Sequence, residues 1–159
     1  MWGLVGRQPE VPSAGQDRRL PVFGSLNPLT GRLHAHVGGR KTAAGFVAHL
    51  EALCRAYPGR QLLIFLDNCS IHRAKLVQRF VADHRARLRL IWNAPYPPEL
   101  TLIERYWGHL KAKAINNYFF GTVQELEEAI RQAVRDFNAS LVLHMHCHLE
   151  LLRPLRKGA

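Results

Sequence analysis

Apolar residues follow three rhythms along this chain, and each predicts a different element. Leu20, Val22 and Gly24 alternate with Pro21, Phe23 and Ser25, and a second short run, Arg32 to Val37, follows Asn27-Pro28-Leu29-Thr30-Gly31. Two strand-like runs separated by Asn-Pro and Thr-Gly predict a β-hairpin with a five-residue loop. After Thr42, a candidate helix cap, Phe46, Leu50, Leu53, Cys54 and Tyr57 recur at helical spacing until Pro58-Gly59, which predicts one amphipathic helix. Leu62-Leu63-Ile64-Phe65-Leu66 shows no alternation, so it predicts a strand covered on both faces in a parallel or mixed sheet. A second helix over Ala74 to His84 and a strand over Leu88 to Trp92 follow. Pro95, Pro97 and Pro98 make Asn93 to Leu100 a stiff loop. Leu102, Ile103, Tyr106, Trp107 and Leu110 then mark a helix with one apolar face. Thr122-Val123-Gln124-Glu125 is a capping box that opens a last helix, striped by Val123, Leu126, Ile130, Ala133, Val134 and Phe137. Strand, strand, helix, strand, helix, strand is the order of an α/β layered domain. Residues 1–19, rich in Gly, Pro and charge, carry no period and predict an irregular basic arm.

Composition narrows the possible partners. At 159 residues the chain suits one domain, and 47% hydrophobic with 21% charged residues suits a folded one. The net charge of +10 points to a polyanion, nucleic acid before an acidic membrane surface. The longest clean apolar run, Leu62 to Leu66, falls far short of the roughly 20 residues a bilayer-spanning helix needs, so no membrane segment is expected. Met1-Trp2-Gly3-Leu4 lacks the basic segment and long apolar stretch of a secretory signal. Cys54, Cys69 and Cys147 are odd in number and widely spaced, as expected of free thiols in a reducing cytoplasm.

Two acids stand out by position. Asp67 directly follows the last apolar residue of the Leu62 run, at the strand end where open α/β sheets place ligands. The plainer alternative is that Asp67-Asn68 caps a turn through its side-chain oxygen. Glu104, at the start of the helix after the proline-rich loop, points away from the apolar face; its plain role would be an acid in the first helical turn, favourable by about 0.3 to 1 kcal/mol.

Taken together, the words around these acids are more specific. Asp67-Asn68 with His72 five residues beyond the Asp, then Pro95, Tyr96, Pro98, Glu99, Leu100, Ile103, Glu104, Arg105, Trp107, Leu110 and Lys111, resemble the catalytic core of the DDE transposases of the IS630/Tc1/mariner superfamily, in particular its bacterial IS630-like branch. Trp2, Gly6, Pro9, Gly24, Leu26, Asn27, Thr30 and Gly31 extend the likeness upstream. The resemblance implies an RNase H-like fold over residues 20–137, a mixed sheet flanked by helices, with a tail over 138–159. It implies phosphoryl transfer on DNA by bound Mg²⁺ or Mn²⁺, since hard divalent cations take carboxylate oxygens. Asp67 and Glu104 would be the second and third acids of the triad and the metal ligands. Asn68 and His72 would position the substrate or the ligands, and Arg105, Lys111 and Lys113 would contact DNA. The implied partners are transposon ends and target DNA, bound by a homodimer when complete, in the bacterial cytoplasm at the nucleoid.

The same comparison predicts a defect. The family carries its first acid on an opening, central strand that lies before the Trp2 word, so this chain is expected to be truncated, and inactive or incomplete. Asp17, in an unpatterned arm, does not replace that acid. The hairpin and the Leu62 strand should then lack the neighbour that joins them. Pro97 stands where the family has Ser, and Thr101-Leu102 where it has Asn-Pro. Two other readings stay open. A non-catalytic DNA-binding remnant would use Arg73, Lys75, Arg79, Arg85, Arg87 and Arg89. A metal-binding protein would use His144, His146, Cys147 and His148. His34 and His36, alternating on one strand face, read as surface residues.

Overall fold

The structure, a computed structural model, describes residues 20–92, 98–116 and 118–140, and at 98–101 the backbone alone. The arm 1–19 with its Trp2 word, most of the proline-rich loop and the histidine cluster of the tail lie outside the described residues. Within them the element order is β1 (Val22–Leu26), β2 (Leu33–Val37), α1 (Ala43–Ala56), β3 (Leu62–Leu66), α2 (Lys75–Asp83), β4 (Leu88–Trp92), α3 (Pro98–Leu110) and α4 (Val123–Ala139). A 3₁₀ turn, Ser70–Arg73, precedes α2, and a π turn, Lys111–Ile115, continues α3.

Local chemistry sets the boundaries. Asn27 Oδ1 accepts the Leu29 and Thr30 amides at 2.9 and 3.3 Å, and Gly31 takes φ 70°, which closes the hairpin loop. Thr42 Oγ1 accepts the Gly45 amide and so caps α1. At α4 the forward half of a capping box forms, Thr122 Oγ1 accepting the Glu125 amide at 3.1 Å, while Glu125 reaches back past the cap and its Oε2 accepts the Gly121 amide at 2.9 Å. The expected loop to Leu100 is shorter than the sequence suggested, because Pro98 begins α3. A proline at the first helical position has its φ already set and its missing N–H is not needed there.

The strands form two separate pairs. β1 and β2 are antiparallel, with Val22 opposite Val37, and β3 and β4 are parallel, with Leu62 opposite Leu88. Among the described residues no strand pairs with both. The bonds at the ladder ends identify the unused groups. Gly38 donates to the Pro21 carbonyl and Asn27 to the Arg32 carbonyl, which turns the N–H and C=O of Val22, Gly24 and Leu26 outward. Leu62 donates to the Arg87 carbonyl, which likewise turns Leu63 and Phe65 to the outer edge of β3. The far edge of β2, by contrast, is closed by side chains. Leu33 N–H donates to Asn138 Oδ1 and its carbonyl accepts from Asn138 Nδ2, at 2.9 and 2.8 Å, while Arg131 donates to the Val37 carbonyl.

Two cores lie on the two faces of the hairpin. Phe46, Leu50 and Leu53 of α1 pack with Leu66, Val77 and Leu88, and Phe23 joins them from β1. Leu33, Val37, Tyr106, Leu110 and Ile130 make the other core, with Val22 and Leu26 beside them. The Leu62 run does not have two covered faces: Leu62, Ile64 and Leu66 face α1 and α2, but Leu63 and Phe65 are 56% and 53% exposed. Their face of β3 has no layer over it among the described residues. His34 and His36 are also not plain surface residues, since α1 half-buries their strand face; His34 Nε2 lies 3.0 Å from the Tyr57 hydroxyl.

His49 of α1 is the buried polar residue of the first core, 2% exposed and hydrogen-bonded through Nε2 to Ser25 Oγ at 2.8 Å. Burial first, then the nearby His36 and His34, pull its pKa from 6.5 down to about 4. A lowered histidine pKa means the fold holds the neutral ring. The resulting stability is complete above pH 6.5 and is lost as pH falls toward 4, by about 3 kcal/mol in all. Urea unfolding midpoints across that window should fall more steeply for the wild type than for His49→Gln, and equal slopes would reject the assignment.

Candidate functional site

The site begins where β3 ends. Asp67 follows buried Leu66 and is itself exposed. Its Oδ1 accepts the Cys69 amide at 3.0 Å, so the turn-capping role does exist. The same Oδ1 lies 3.2 Å from His72 Nδ1, while Oδ2 has no partner among the described residues. The 3₁₀ turn brings His72 back over the strand end, with its Nδ1 also 3.4 Å from the Asp67 carbonyl. The imidazole ring lies 4.3 Å from the Phe46 ring, centroid to centroid, which fixes its plane against α1. Asn68 is held as well: Arg73 donates to its Oδ1 at 2.7 Å, and the Arg73 guanidinium lies 5.1 Å over the Trp92 ring at the end of β4. Sequence reasoning assigned no role to Phe46 or Trp92 here. Their apolar character signalled core, and only the fold places them against His72 and Arg73.

Thus Asp67, Asn68 and His72 form one cluster on the β3 end. Glu104 belongs to another element. It is exposed on α3 with no hydrogen-bond or ionic partner among the described residues, and no contact joins it to Asp67. Because α3 starts at Pro98, Glu104 sits in the second turn and not the first, so helix-dipole stabilisation does not explain an acid there. Its outward direction is as expected: Tyr106 and Leu110 are buried, while Glu104 and Arg105 are exposed. Lys111 and Lys113 are exposed on the π turn, where the Asn116 amide donates to the Lys111 carbonyl at 2.7 Å. Arg87 leaves the group of candidate phosphate contacts. Its guanidinium turns inward and donates to the Cys54, Tyr57 and Arg60 carbonyls, closing the C-terminus of α1.

Cys54 and Cys69 are free thiols. No group of three or more His, Cys, Asp or Glu side chains suited to one metal ion occurs among the described residues. No helix among them is long and apolar enough to cross a membrane.

Residues 1–127 match the model of a family described as DDE superfamily endonuclease. The sequence is 26% identical over 131 residues to the insertion element IS630 uncharacterized 39 kDa protein of Shigella sonnei, covering 82% of this chain and 38% of that protein. The chain therefore spans well under half the length of that relative. Among solved structures, the catalytic core domain of BIV integrase superposes with a TM-score of 0.54 at 19% identity, over 71% of each chain. That likeness shows the fold: an RNase H-like α/β layer.

The placement of Glu104 depends on how closely α3 approaches β1. A Cβ at Gly24 would overlap the Trp107 ring, so only glycine admits this contact. Gly24→Ala should therefore cost about 1–3 kcal/mol by overpacking. The check is urea unfolding together with tryptophan emission, and an unchanged midpoint would mean that α3 does not rest on β1 in solution.

Proposed function

Because the chain belongs to the DDE superfamily of endonucleases, we propose that it is the catalytic part of an insertion-sequence transposase, which cuts DNA at the element's ends and joins the 3′-OH to target DNA. The observation that carries this reading is Asp67: an exposed carboxylate on the end of a strand, one oxygen engaged by the turn and the other without a partner among the described residues. A carboxylate with a free oxygen is the donor that Mg²⁺ or Mn²⁺ takes, and Glu104, also without a partner among the described residues, is of the same kind. In this reading Asp67 and Glu104 hold the metal. Bound divalent ions of this type supply Lewis acidity and steady the charge that develops on the attacking and leaving oxygens.

The chain's own groups then have separate tasks. His72, packed on Phe46, holds the Asp67 carboxylate in one orientation, and Arg73 holds Asn68 at the edge of the same turn. Arg105, Lys111 and Lys113 face solvent and offer positive charge to phosphates. The partners are transposon ends and target DNA, engaged by a homodimer at the bacterial nucleoid. None of the four described strands carries an acid, so a third carboxylate is not supplied beside Asp67 from within them. On that ground the residues described here do not sustain turnover by themselves.

The test uses the protein of the complete element and a terminal-repeat duplex. Nicking should require Mg²⁺ or Mn²⁺, and Asp67→Asn and Glu104→Gln should each slow it by about 10³-fold or more, equivalent to about 4 kcal/mol in the barrier. Normal cutting by either variant overturns its assignment. Salt-sensitive DNA binding without any metal-dependent nicking would favour a DNA-binding remnant instead.

A further inference from the structure

Beside the Asp67 cluster lies an open cleft of about 700 Å³ between α2 and the outer edge of β4. Its floor is apolar, from Val77, Val81, Leu88 and Leu90, and His72 closes the end nearest Asp67. Trp92 forms part of the wall and remains 41% exposed although the Arg73 guanidinium lies over its ring. Arg85 and Arg89 also line the cleft, and neither guanidinium has a hydrogen-bond or ionic partner among the described residues. No acid lines it.

An apolar trough with a half-open indole and unpaired cations does not suit duplex DNA, whose bases are stacked away from such surfaces. It does suit a nucleotide whose base has left the stack. The base finds aromatic and aliphatic contact while its phosphates meet arginine. The volume is within the range of about 300–1,000 Å³ typical of small-ligand clefts. The chain's +10 charge favours the same occupant over an acid-free apolar peptide. We propose that this cleft binds an unpaired nucleotide of the DNA strand held at Asp67, with its base against Trp92 and its phosphate at Arg85. The reading rests on the proposed DNA cleavage at Asp67 for its place in the reaction, but binding itself needs no metal.

Binding can therefore be measured in EDTA. The probes are a blunt duplex and the same duplex with a short single-stranded overhang carrying 2-aminopurine. The full chain should bind the overhang at least about 5-fold more tightly and quench its fluorescence, in line with the strength of base–aromatic stacking. Trp92→Ala should abolish both the preference and the quenching, and Trp92→Phe, which keeps a ring and the cleft wall, should retain most of both. Arg85→Gln, at an exposed position, should reduce the slope of log affinity against log salt by about one. If Trp92→Ala and Arg85→Gln both behave as the wild type, the proposal is overturned. Trp92-dependent quenching by this chain, together with a complete element's protein that never nicks DNA, would uphold the cleft and reject the catalytic reading. Metal-dependent nicking without overhang preference would do the reverse.

Discussion

The packing of α1 across two unconnected strand pairs is the contact on which the rest of the structure depends. Among the described residues no hydrogen-bond ladder links β1 to β3, and side chains set their relative position there. Phe23 of β1 meets Phe46 of α1 at 5.9 Å, Ser25 bonds His49, and the Tyr57 hydroxyl reaches both Asn27 and His34. On the other side of α1, Leu50 and Leu53 join Leu66, Val77 and Leu88 in one core. A ladder would fix spacing and register at once. Apolar contact fixes neither by direction, so the few oriented bonds at His49 and Tyr57 matter out of proportion to their number.

The treatment of the strand edges follows the same logic. The outer edge of β2 is closed by Asn138, which mimics a neighbouring strand at Leu33, and by Arg131 at Val37. Such closure prevents edge-to-edge association. The edges of β1 and β3 receive no comparable side chain among the described residues, and β3 adds the exposed Leu63 and Phe65 beside its free edge. Among the described residues the edge of β2 is finished and those of β1 and β3 are not.

Much of this was legible in the sequence, and what was not has identifiable physical causes. The spacing of Phe46, Leu50 and Leu53 gives α1, the Asn27–Gly31 loop gives the hairpin, and Thr122 with Glu125 gives the start of α4, because in each the signal is local. The unbroken Leu62 run predicts cover on both faces, yet hydrophobicity reports what a strand can bury and not what lies over it. Pro98 is ambiguous in sequence because proline both ends and begins helices, and only the backbone decides which. Arg87 counted as one more surface cation, whereas its carbonyl partners are about 30 positions away, and Asn138 reaches Leu33 across 105. Contacts at that separation leave no periodic trace. Asp67 and His72 could be singled out from their place after the strand; the rings that orient them could not.

A site built from Asp67 and Glu104 inherits a further constraint. Asp67 extends from β3, which belongs to the α1 core, whereas Glu104 sits on α3, whose Tyr106 and Leu110 belong to the other core. The strand β1 contributes to both, Phe23 to one and Val22 and Leu26 to the other. The distance between the two acids is therefore transmitted through β1 and its bonds to α1, not through any contact between the acids. Any motion of the hairpin relative to α1 changes that distance directly, and chemistry that needs two carboxylates at fixed separation tolerates little of it. Neutral His49, buried at the α1–β1 joint, is thus tied to the geometry of a site in which it takes no chemical part.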